Sequence, residues 1–565
     1  MPNHSRLIVF ARVVLLPLVL VMATVAGLGS YYETSDDTTL AWLFSGVLAQ
    51  PPVSALPLYF HGYGHGLAAA YVAWPGVPWV GALLGALLGA ATVLTFAVLD
   101  RLLRPHLGSG ALVLALATFF AGAWLEHWLW FSHVRVGVLL AGAALLFAAQ
   151  RPGHRGALVV GLAGLGAAWL LRPGLAWVGY GAALPAAWLL AGSWRRARPV
   201  VLSTALGLGL LAGGAALLQA PAAARTQARD QAFARVLDFD QVRPQPRTAA
   251  DSLGTAALDL WLMGDSTVVN AAFSRRAYRF VAADFWGRVV PAKLRLRAEL
   301  LVRDYFLLLA ALVATGVAAS RRRGRQPWFW SVQVGFAAAL IVLTGWLKLP
   351  PRLELPILDF WLLANLGFLL PDAAGSYQAG RPSYTGLIAK KSPGDQPAKP
   401  AASWRLGATA ALLVLLLYGA KTWHRRQVLG QERRRHERVW AEISRRTGGH
   451  VRVLAGANDA LKSLSPWQVC TPGPGPVLML SGWQSHDQSQ QELCRALTGA
   501  ADQPSCLRRL AEPARGTFWL FSRETAQWLN RRFRYHAGTG PAVVLQPAAH
   551  LVADTTLRFY QPVAR

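Results

Sequence analysis

Long apolar segments recur along most of this 565-residue chain, and they constrain its fold more than any other feature. A segment of this kind that carries few charges is typical of a helix that crosses a membrane. We predict eleven spans, at about Leu7–Leu28, Trp79–Leu99, Ala111–Phe131, Val134–Ala149, Ala157–Leu171, Gly174–Leu190, Val200–Leu218, Tyr305–Ala319, Phe329–Leu347, Ile357–Leu370 and Ala408–Tyr418. The sequence therefore predicts an all-α polytopic membrane protein.

The basic residues indicate how these spans are oriented. A net charge of +28 is typical of proteins that bind nucleic acid, but here the Arg and Lys residues mostly lie in short loops between apolar spans. Loops of this kind are cytoplasmic, so we predict no nucleic-acid partner. With the N-terminus inside, only four of these residues fall in short outside loops: Arg135, Arg172, Lys348 and Arg352. The predicted topology therefore places the C-terminal region outside the cytoplasm.

Polar stretches divide the chain into four parts. Residues 1–218 form a transmembrane module with a first outer loop at 29–78, and residues 219–303 form an extracytoplasmic helical insertion. Residues 304–420 add further transmembrane helices and a cytoplasmic linker at 371–402, which is rich in Pro, Gly and Lys. In residues 421–565, strand-like runs such as Val477–Leu480 alternate with helical ones, which predicts a small extracytoplasmic α/β domain.

An acidic cluster directly follows the first span. It consists of Glu33, Asp36 and Asp37, and carboxylates at a membrane boundary are costly unless they meet water, a cation or a partner. They are candidate catalytic residues, because fixed carboxylates serve as general bases or hold a divalent cation against a phosphate. The alternative is a solvated loop that ends a helix. We predict that Asp36 and Asp37 line a water-filled cavity at the outer surface, near Arg172 and either His61 or His65.

Further polar residues fall on the same predicted side of the membrane, and they are candidates for substrate binding because a lipid-phosphate substrate needs cations as well as carboxylates. They are Arg172, His61, His65, Tyr63, Glu126, His127 and Arg135. A helix over 58–72 that lies at the outer membrane surface would place His61 and His65 on one face, where they are able to bind metal. The alternatives are an ion pair between Glu126 and Arg135 and a snorkelling role for Arg172.

The order of these features resembles the C-type (GT-C) polytopic glycosyltransferase superfamily. The shared features are a first helix that ends in an acidic motif, an outer loop with interfacial helices, many further spans and an outer C-terminal domain. The motifs Ser35-Asp36-Asp37, Ser45-Gly46, Pro75 to Trp79 and Gly482-Trp483 are similar to those of bacterial multi-pass membrane proteins with an Asp-Asp motif after the first helix. No Trp-Trp-Asp signature of the oligosaccharyl transferases is present.

The resemblance implies an enzyme that transfers a sugar from a polyprenyl-phosphate-linked donor to an envelope acceptor. It implies a catalytic or metal-binding acidic residue in the first outer loop, which corresponds to Glu33, Asp36 or Asp37. The expected partners are a lipid-linked sugar donor and membrane lipids, and a divalent cation is a candidate cofactor. A lipid or sugar transporter (a flippase) and a non-enzymatic envelope assembly protein are the competing hypotheses. The sequence leaves the oligomeric state open.

Overall fold

A computed structural model of the protein describes residues 2–56, 59–323, 327–370, 402–469, 471, 473–537 and 543–564. Each of the eleven predicted spans coincides with a helix, so the predicted helical class is confirmed. These helices are Pro2–Phe10 with Ala11–Leu15 and Leu16–Leu28, Trp79–Leu103, Ser109–Phe119 with Phe120–Trp124 and Leu125–Leu129, His133–Ala149, Arg155–Leu171, Pro173–Leu190, Trp194–Leu218, Phe306–Arg323, Pro327–Trp346, Pro351–Leu369 and Ala402–Thr447.

Length and composition qualify part of this set as membrane spans. Within the described residues, five helices are long and apolar enough to cross a membrane by themselves: Arg6–Leu28, Trp79–Leu103, Ser109–Leu129, Trp194–Leu218 and Pro327–Trp346. A sixth candidate is a pair of helices bent by 89°. The helix His133–Ala149 is shorter and is buried on nearly every side by its neighbours, as expected for a helix at the centre of a bundle. The protein is a multi-pass membrane protein.

The last predicted span is the beginning of a much longer element. The helix Ala402–Thr447, called here the long C-terminal helix, has 46 residues and passes through the predicted boundary at residue 420. At the rise of an α-helix it extends about 69 Å, so it reaches the C-terminal domain without a loop. The predicted linker at 371–402 lies outside the described residues except for its last residue.

The C-terminal domain follows the long C-terminal helix and contains one mixed sheet. Two short strand pairs precede it in the chain: Tyr31–Tyr32 (β1) with Trp130–Phe131 (β2), and Arg243–Pro244 (β3) with Tyr278–Arg279 (β4). The domain itself contains Arg452–Ala455 (β5), Val477–Met479 (β6), Phe518–Ser522 (β7), Val543–His550 (β8) and Leu557–Ala564 (β9), in the order β6-β5-β7-β9-β8. β5 is parallel to β6 and β7, and β9 is antiparallel to β7 and β8. The predicted α/β domain is confirmed.

Helices cover this sheet, and the insertion contributes to the same core. The helices of the C-terminal domain are Gln488–Thr498, Gln503–Leu510 and Arg523–Ala537, and those of the insertion are Pro221–Leu237, Ala249–Asp259, Ala271–Ala277, Ala282–Asp284 and Val290–Asp304. Leu258 and Phe273 of the insertion belong to one buried cluster with Leu478, Trp519 and Phe521 of the sheet. The two regions that the sequence separates by about 150 residues therefore share a hydrophobic core.

The C-terminal domain also rests directly on the transmembrane module. The spacing of Gly81, Gly85 and Gly89 predicts close packing against another helix. Gly81 and Gly85 do pack closely, but their partner is a loop, and no described atom lies within 4 Å of a methyl group placed on Gly89. A methyl group on Gly81 would lie 1.8 Å from the Pro466 carbonyl oxygen, and one on Gly85 would lie 2.5 Å from the Trp467 ring. Glycine is therefore required where the loop around Trp467 meets the helix Trp79–Leu103.

Candidate active site

The acidic cluster lies at the start of a helix. The sequence predicts a helix from Thr39, but the observed acidic helix, Ser35–Phe44, begins earlier and places Asp36 and Asp37 in its first turn. Negative charge is favoured there by the helix dipole. Backbone bonds fix the approach to this helix, because the Tyr32 amide donates to the Leu464 carbonyl and the Glu33 amide donates to the Phe131 carbonyl. The acidic helix is thus held by the transmembrane module and the C-terminal domain together.

Asp37 is fully buried and holds His133 in place. Its Oδ1 accepts hydrogen bonds from the backbone amide of His133 at 2.9 Å and from Nδ1 of His133 at 2.7 Å, and its Oδ2 accepts one from the Thr34 hydroxyl. Burial favours a raised pKa for Asp37, but the charge of His133 and these hydrogen bonds outweigh it and lower the pKa. The expectation that Asp37 lines a water-filled cavity is wrong, because its oxygens are occupied inside the protein.

Asp36, in contrast, is partly exposed and meets the C-terminal domain. Its Oδ1 accepts a hydrogen bond from Nε1 of Trp483 at 3.0 Å, and no described residue donates to its Oδ2. Trp483 follows Gly482, which adopts a φ of 98° that favours glycine. The motifs Ser35-Asp36-Asp37 and Gly482-Trp483, about 450 residues apart in sequence, therefore meet in space.

Tyr59 is at the centre of the same group. Its ring lies 5.0 Å from that of Trp483 and 5.3 Å from that of His133, and the Arg172 guanidinium lies 4.7 Å from its centroid. Burial raises the pKa of Tyr59 to about 12. The charges of Asp36 and Asp238 also raise this pKa, and those of Arg172 and Arg352 partly offset the increase. Tyr59 is therefore neutral at physiological pH, and its hydroxyl is able to donate a hydrogen bond.

We call Asp36, Tyr59, Arg172, Arg352 and Trp483 the outer cluster. Neither arginine side chain forms an ion pair or a hydrogen bond with a described residue, although Arg172 stacks on Tyr59. The charges of Asp36, Arg172 and Arg352 all act on Tyr59, as does that of Asp238, which is itself paired with Lys348. A group of this kind attracts a ligand with a negative group and a hydroxyl. The structure thus brings the predicted residues Asp36 and Arg172 together.

The predicted histidines lie apart from this arrangement. The helix of the first outer loop begins at Gly64, so His61 precedes it in a turn and does not share a helical face with His65. His61 and His65 are both exposed, and His61 lies beside the Trp169 ring. The Tyr63 hydroxyl donates to the Ala167 carbonyl. Within the described ranges, no three His, Cys, Asp or Glu residues are grouped to hold a metal ion.

The remaining predicted residues lie farther inside the protein than the outer cluster, in two networks of side-chain hydrogen bonds. In the first, Nε of Arg135 donates to Glu33 at 2.7 Å, and Nη1 of Arg135 donates to Nδ1 of His127 at 3.2 Å. Because a guanidinium only donates, Nδ1 of His127 accepts, and its Nε2 donates to Asp359 at 2.7 Å. We call Glu33, Arg135, His127 and Asp359 the inner network. Glu33 is therefore paired with Arg135 inside the protein.

The second network of hydrogen bonds surrounds Glu126. Its carboxylate accepts hydrogen bonds from the Tyr418 hydroxyl, the Lys421 ammonium and the Arg425 guanidinium, all on the long C-terminal helix. The alternative of a direct ion pair between Glu126 and Arg135 is wrong, since Arg135 bonds to Glu33 instead. Glu126 fixes the long C-terminal helix to the bundle.

Sequence reasoning missed Tyr59, Arg352 and Trp483 as members of the site. Tyr59 stands two residues before His61 in the first outer loop, and Arg352 is one of the four basic residues of the short outside loops. Trp483 was visible only as part of a motif, because nothing in the sequence indicates that the C-terminal domain reaches the first outer loop.

Comparisons with known proteins add one solved structure. No protein-family model matches the chain, and no curated protein matches it. The chain is similar to the crystal structure of ArnT from Cupriavidus metallidurans bound to undecaprenyl phosphate, with 15% identity and a TM-score of 0.44 over 98% of each chain.

Proposed function

We propose that the outer cluster is the active site of a membrane glycosyltransferase. It transfers a sugar from a polyprenyl-phosphate-linked donor to an envelope acceptor at the outer face of the bacterial inner membrane. The observation that carries this proposal is that Asp36, whose Oδ2 accepts from no described residue, meets Trp483, and that Trp483 and Arg172 both contact Tyr59.

Each residue has a definite task in such a transfer. Arg172 and Arg352 bind the phosphate of the donor and stabilise the charge on the departing polyprenyl phosphate. Asp36 accepts the proton of the acceptor hydroxyl. The acceptor oxygen then forms the new bond to C1 of the sugar, while the bond from C1 to the phosphate oxygen breaks. The neutral Tyr59 hydroxyl donates a hydrogen bond to the phosphate or to the sugar.

The depth of the outer cluster suits a lipid-linked substrate. Arg172 directly follows the helix Arg155–Leu171, Arg352 lies in the first turn of Pro351–Leu369, and Asp36 follows the first span by eight residues. All three charges therefore stand at the ends of membrane helices. A polyprenyl chain in the bilayer presents its phosphate at this level.

The test of this function is sugar transfer by the purified protein. The protein in detergent is incubated with polyprenyl-phosphate sugars, and the release of polyprenyl phosphate is measured with and without divalent cations. Release that requires the protein supports the proposal, and dependence on a cation assigns the cofactor. Absence of release from every donor, for a folded protein supplied with envelope lipids as acceptors, contradicts it.

A transporter is the second candidate, because the inner network places charged groups deep among the helices. Asp359 is fully buried within Pro351–Leu369, and polar groups at such depth are typical of transport pathways. Liposomes distinguish the two functions. Movement of an intact labelled lipid-linked sugar between leaflets favours transport, whereas its conversion favours the enzyme.

The proposed location of the C-terminal domain can be tested separately. The positive-inside rule places the C-terminal domain outside the cytoplasm. A reporter that is active only in the cytoplasm should therefore be silent when it is fused after Arg565. Strong cytoplasmic activity of the fusion would contradict the proposed orientation and move the outer cluster to the other face.

Trp483→Phe should slow the transfer. Phenylalanine keeps an aromatic contact with Tyr59 but removes the Nε1–H donor that holds the carboxylate of Asp36 in position. We expect about a tenfold loss of activity, the effect of one lost hydrogen bond to a charged group. Trp467→Phe is the matched control, since Nε1 of Trp467 is buried without a partner among the described residues. Equal rates for the two variants would exclude this role of Trp483.

A further inference from the structure

The helix Val290–Asp304, called here the interfacial helix, lies at the edge of the membrane module. Its continuation, Phe306–Arg321, is bent by 89° relative to it. Just before it, the Trp286 ring lies 5.6 Å from the ring of Trp346, the last residue of the helix Pro327–Trp346. The interfacial helix thus stands at about a right angle to the helix that follows it, and the segment before it contacts the end of a candidate membrane span.

Its exposed residues are of two chemical kinds. Trp286, Leu296 and Val302 each expose more than half of their surface. Arg288 and Arg295 of the same segment are also largely exposed. A surface helix that exposes both apolar and basic side chains is stable where acyl chains meet charged headgroups. Arginine in this position interacts favourably with anionic lipid.

A cavity of about 500 Å³ opens beside the interfacial helix. Its lining residues are Asp240, Arg243, Arg288, Val289, Ala292, Lys293 and Leu296. Three cations are therefore offset by two carboxylates, because Arg243 pairs with both Asp240 and Asp284, and Arg288 also pairs with Asp284. Lys293 donates to the carbonyl groups of Phe239 and Leu347, so one net positive charge remains and the cations are held in place before any ligand arrives.

We propose that this cavity binds the phosphate headgroup of an anionic phospholipid. The cations at its wall bind the phosphate, and the exposed Leu296 and the aromatic residues near Trp286 contact the first part of the acyl chains. The volume is within the range of small-molecule binding sites. The proposal does not depend on the glycosyltransferase reaction, because no residue of the outer cluster lines this cavity.

Lipid binding by the purified full-length protein tests this site. The protein is freed of lipid in a neutral detergent and titrated with phosphatidylglycerol or phosphatidylcholine, and bound lipid is counted by native mass spectrometry. We expect a clear preference for phosphatidylglycerol, which salt weakens. Arg288→Gln should weaken binding about fivefold, as expected for one cation at a membrane surface. Ala292→Trp should block binding by filling the cavity without changing charge.

Arg295→Gln is the matched control, because Arg295 is on the same helix and pairs with Glu299 but does not line the cavity. Weaker binding in Arg288→Gln and Ala292→Trp, with normal binding in Arg295→Gln, supports the proposal. Equal losses in the two arginine variants would show general attraction to the basic surface and overturn it. Equal affinity for the two lipids, or full displacement of phosphatidylglycerol by millimolar inorganic phosphate, would also overturn it.

Discussion

Asp36→Asn is expected to reduce sugar transfer about 100-fold or more. Asparagine has nearly the same shape as aspartate, and its side-chain oxygen still accepts the hydrogen bond from Trp483. It has no basic oxygen to accept a proton, and loss of a general base typically costs this much. Initial rates of polyprenyl phosphate release at saturating donor and acceptor measure the effect.

Asp459→Asn is the control for this substitution, because Asp459 is a largely exposed residue of the C-terminal domain whose side chain pairs with Lys462. It should keep full activity. Both variants should unfold at the same temperature as the unaltered protein. Full activity of Asp36→Asn would remove Asp36 from the reaction and, with it, the main support for the proposed function.

Glu126→Ala is expected to lower the free energy of unfolding by about 3–5 kcal/mol. The substitution removes the acceptor of Tyr418, Lys421 and Arg425, and it leaves two largely buried cations with Asp304 as their remaining partner. Breaking a buried ion pair by removing one partner has a cost of this size. Denaturant unfolding in one detergent, followed by tryptophan fluorescence, measures the change.

Glu299→Ala tests whether burial is the cause. Glu299 also pairs with an arginine, Arg295, but both side chains are mostly exposed. An exposed pair of this kind contributes at most about 1 kcal/mol. If Glu126→Ala and Glu299→Ala destabilise the protein equally, the network around Glu126 does not hold the long C-terminal helix in place.

The helices and the α/β domain were predictable because their signals are local. Long apolar runs mark the spans, and short continuous apolar runs mark strands such as β7. β9 was not indicated, since Pro562 is untypical of a strand with neighbours on both sides. The start of the acidic helix was also missed by four residues, because its first turn is made of polar residues.

The outer cluster was only partly predictable, because tertiary packing decides it. Asp36 and Asp37 are adjacent in sequence and look equivalent, yet one is partly exposed and the other is fully buried against His133. Which acid points inward depends on the register of the acidic helix. The contribution of Trp483 depends on how the C-terminal domain rests on the bundle, and no periodicity in the sequence encodes this.

The core shared by the insertion and the C-terminal sheet has a consequence for biosynthesis. Phe273 leaves the ribosome about 250 residues before Trp519, which at typical rates of synthesis is roughly 12–50 s. During that time the apolar face of the insertion has no strand to cover it. The nascent chain therefore exposes this apolar surface until the strands of the C-terminal domain have been synthesised. Chaperones that bind unfolded chains should therefore bind the unfinished protein at Leu258 and Phe273. A ribosome stalled before residue 450 should keep that complex indefinitely.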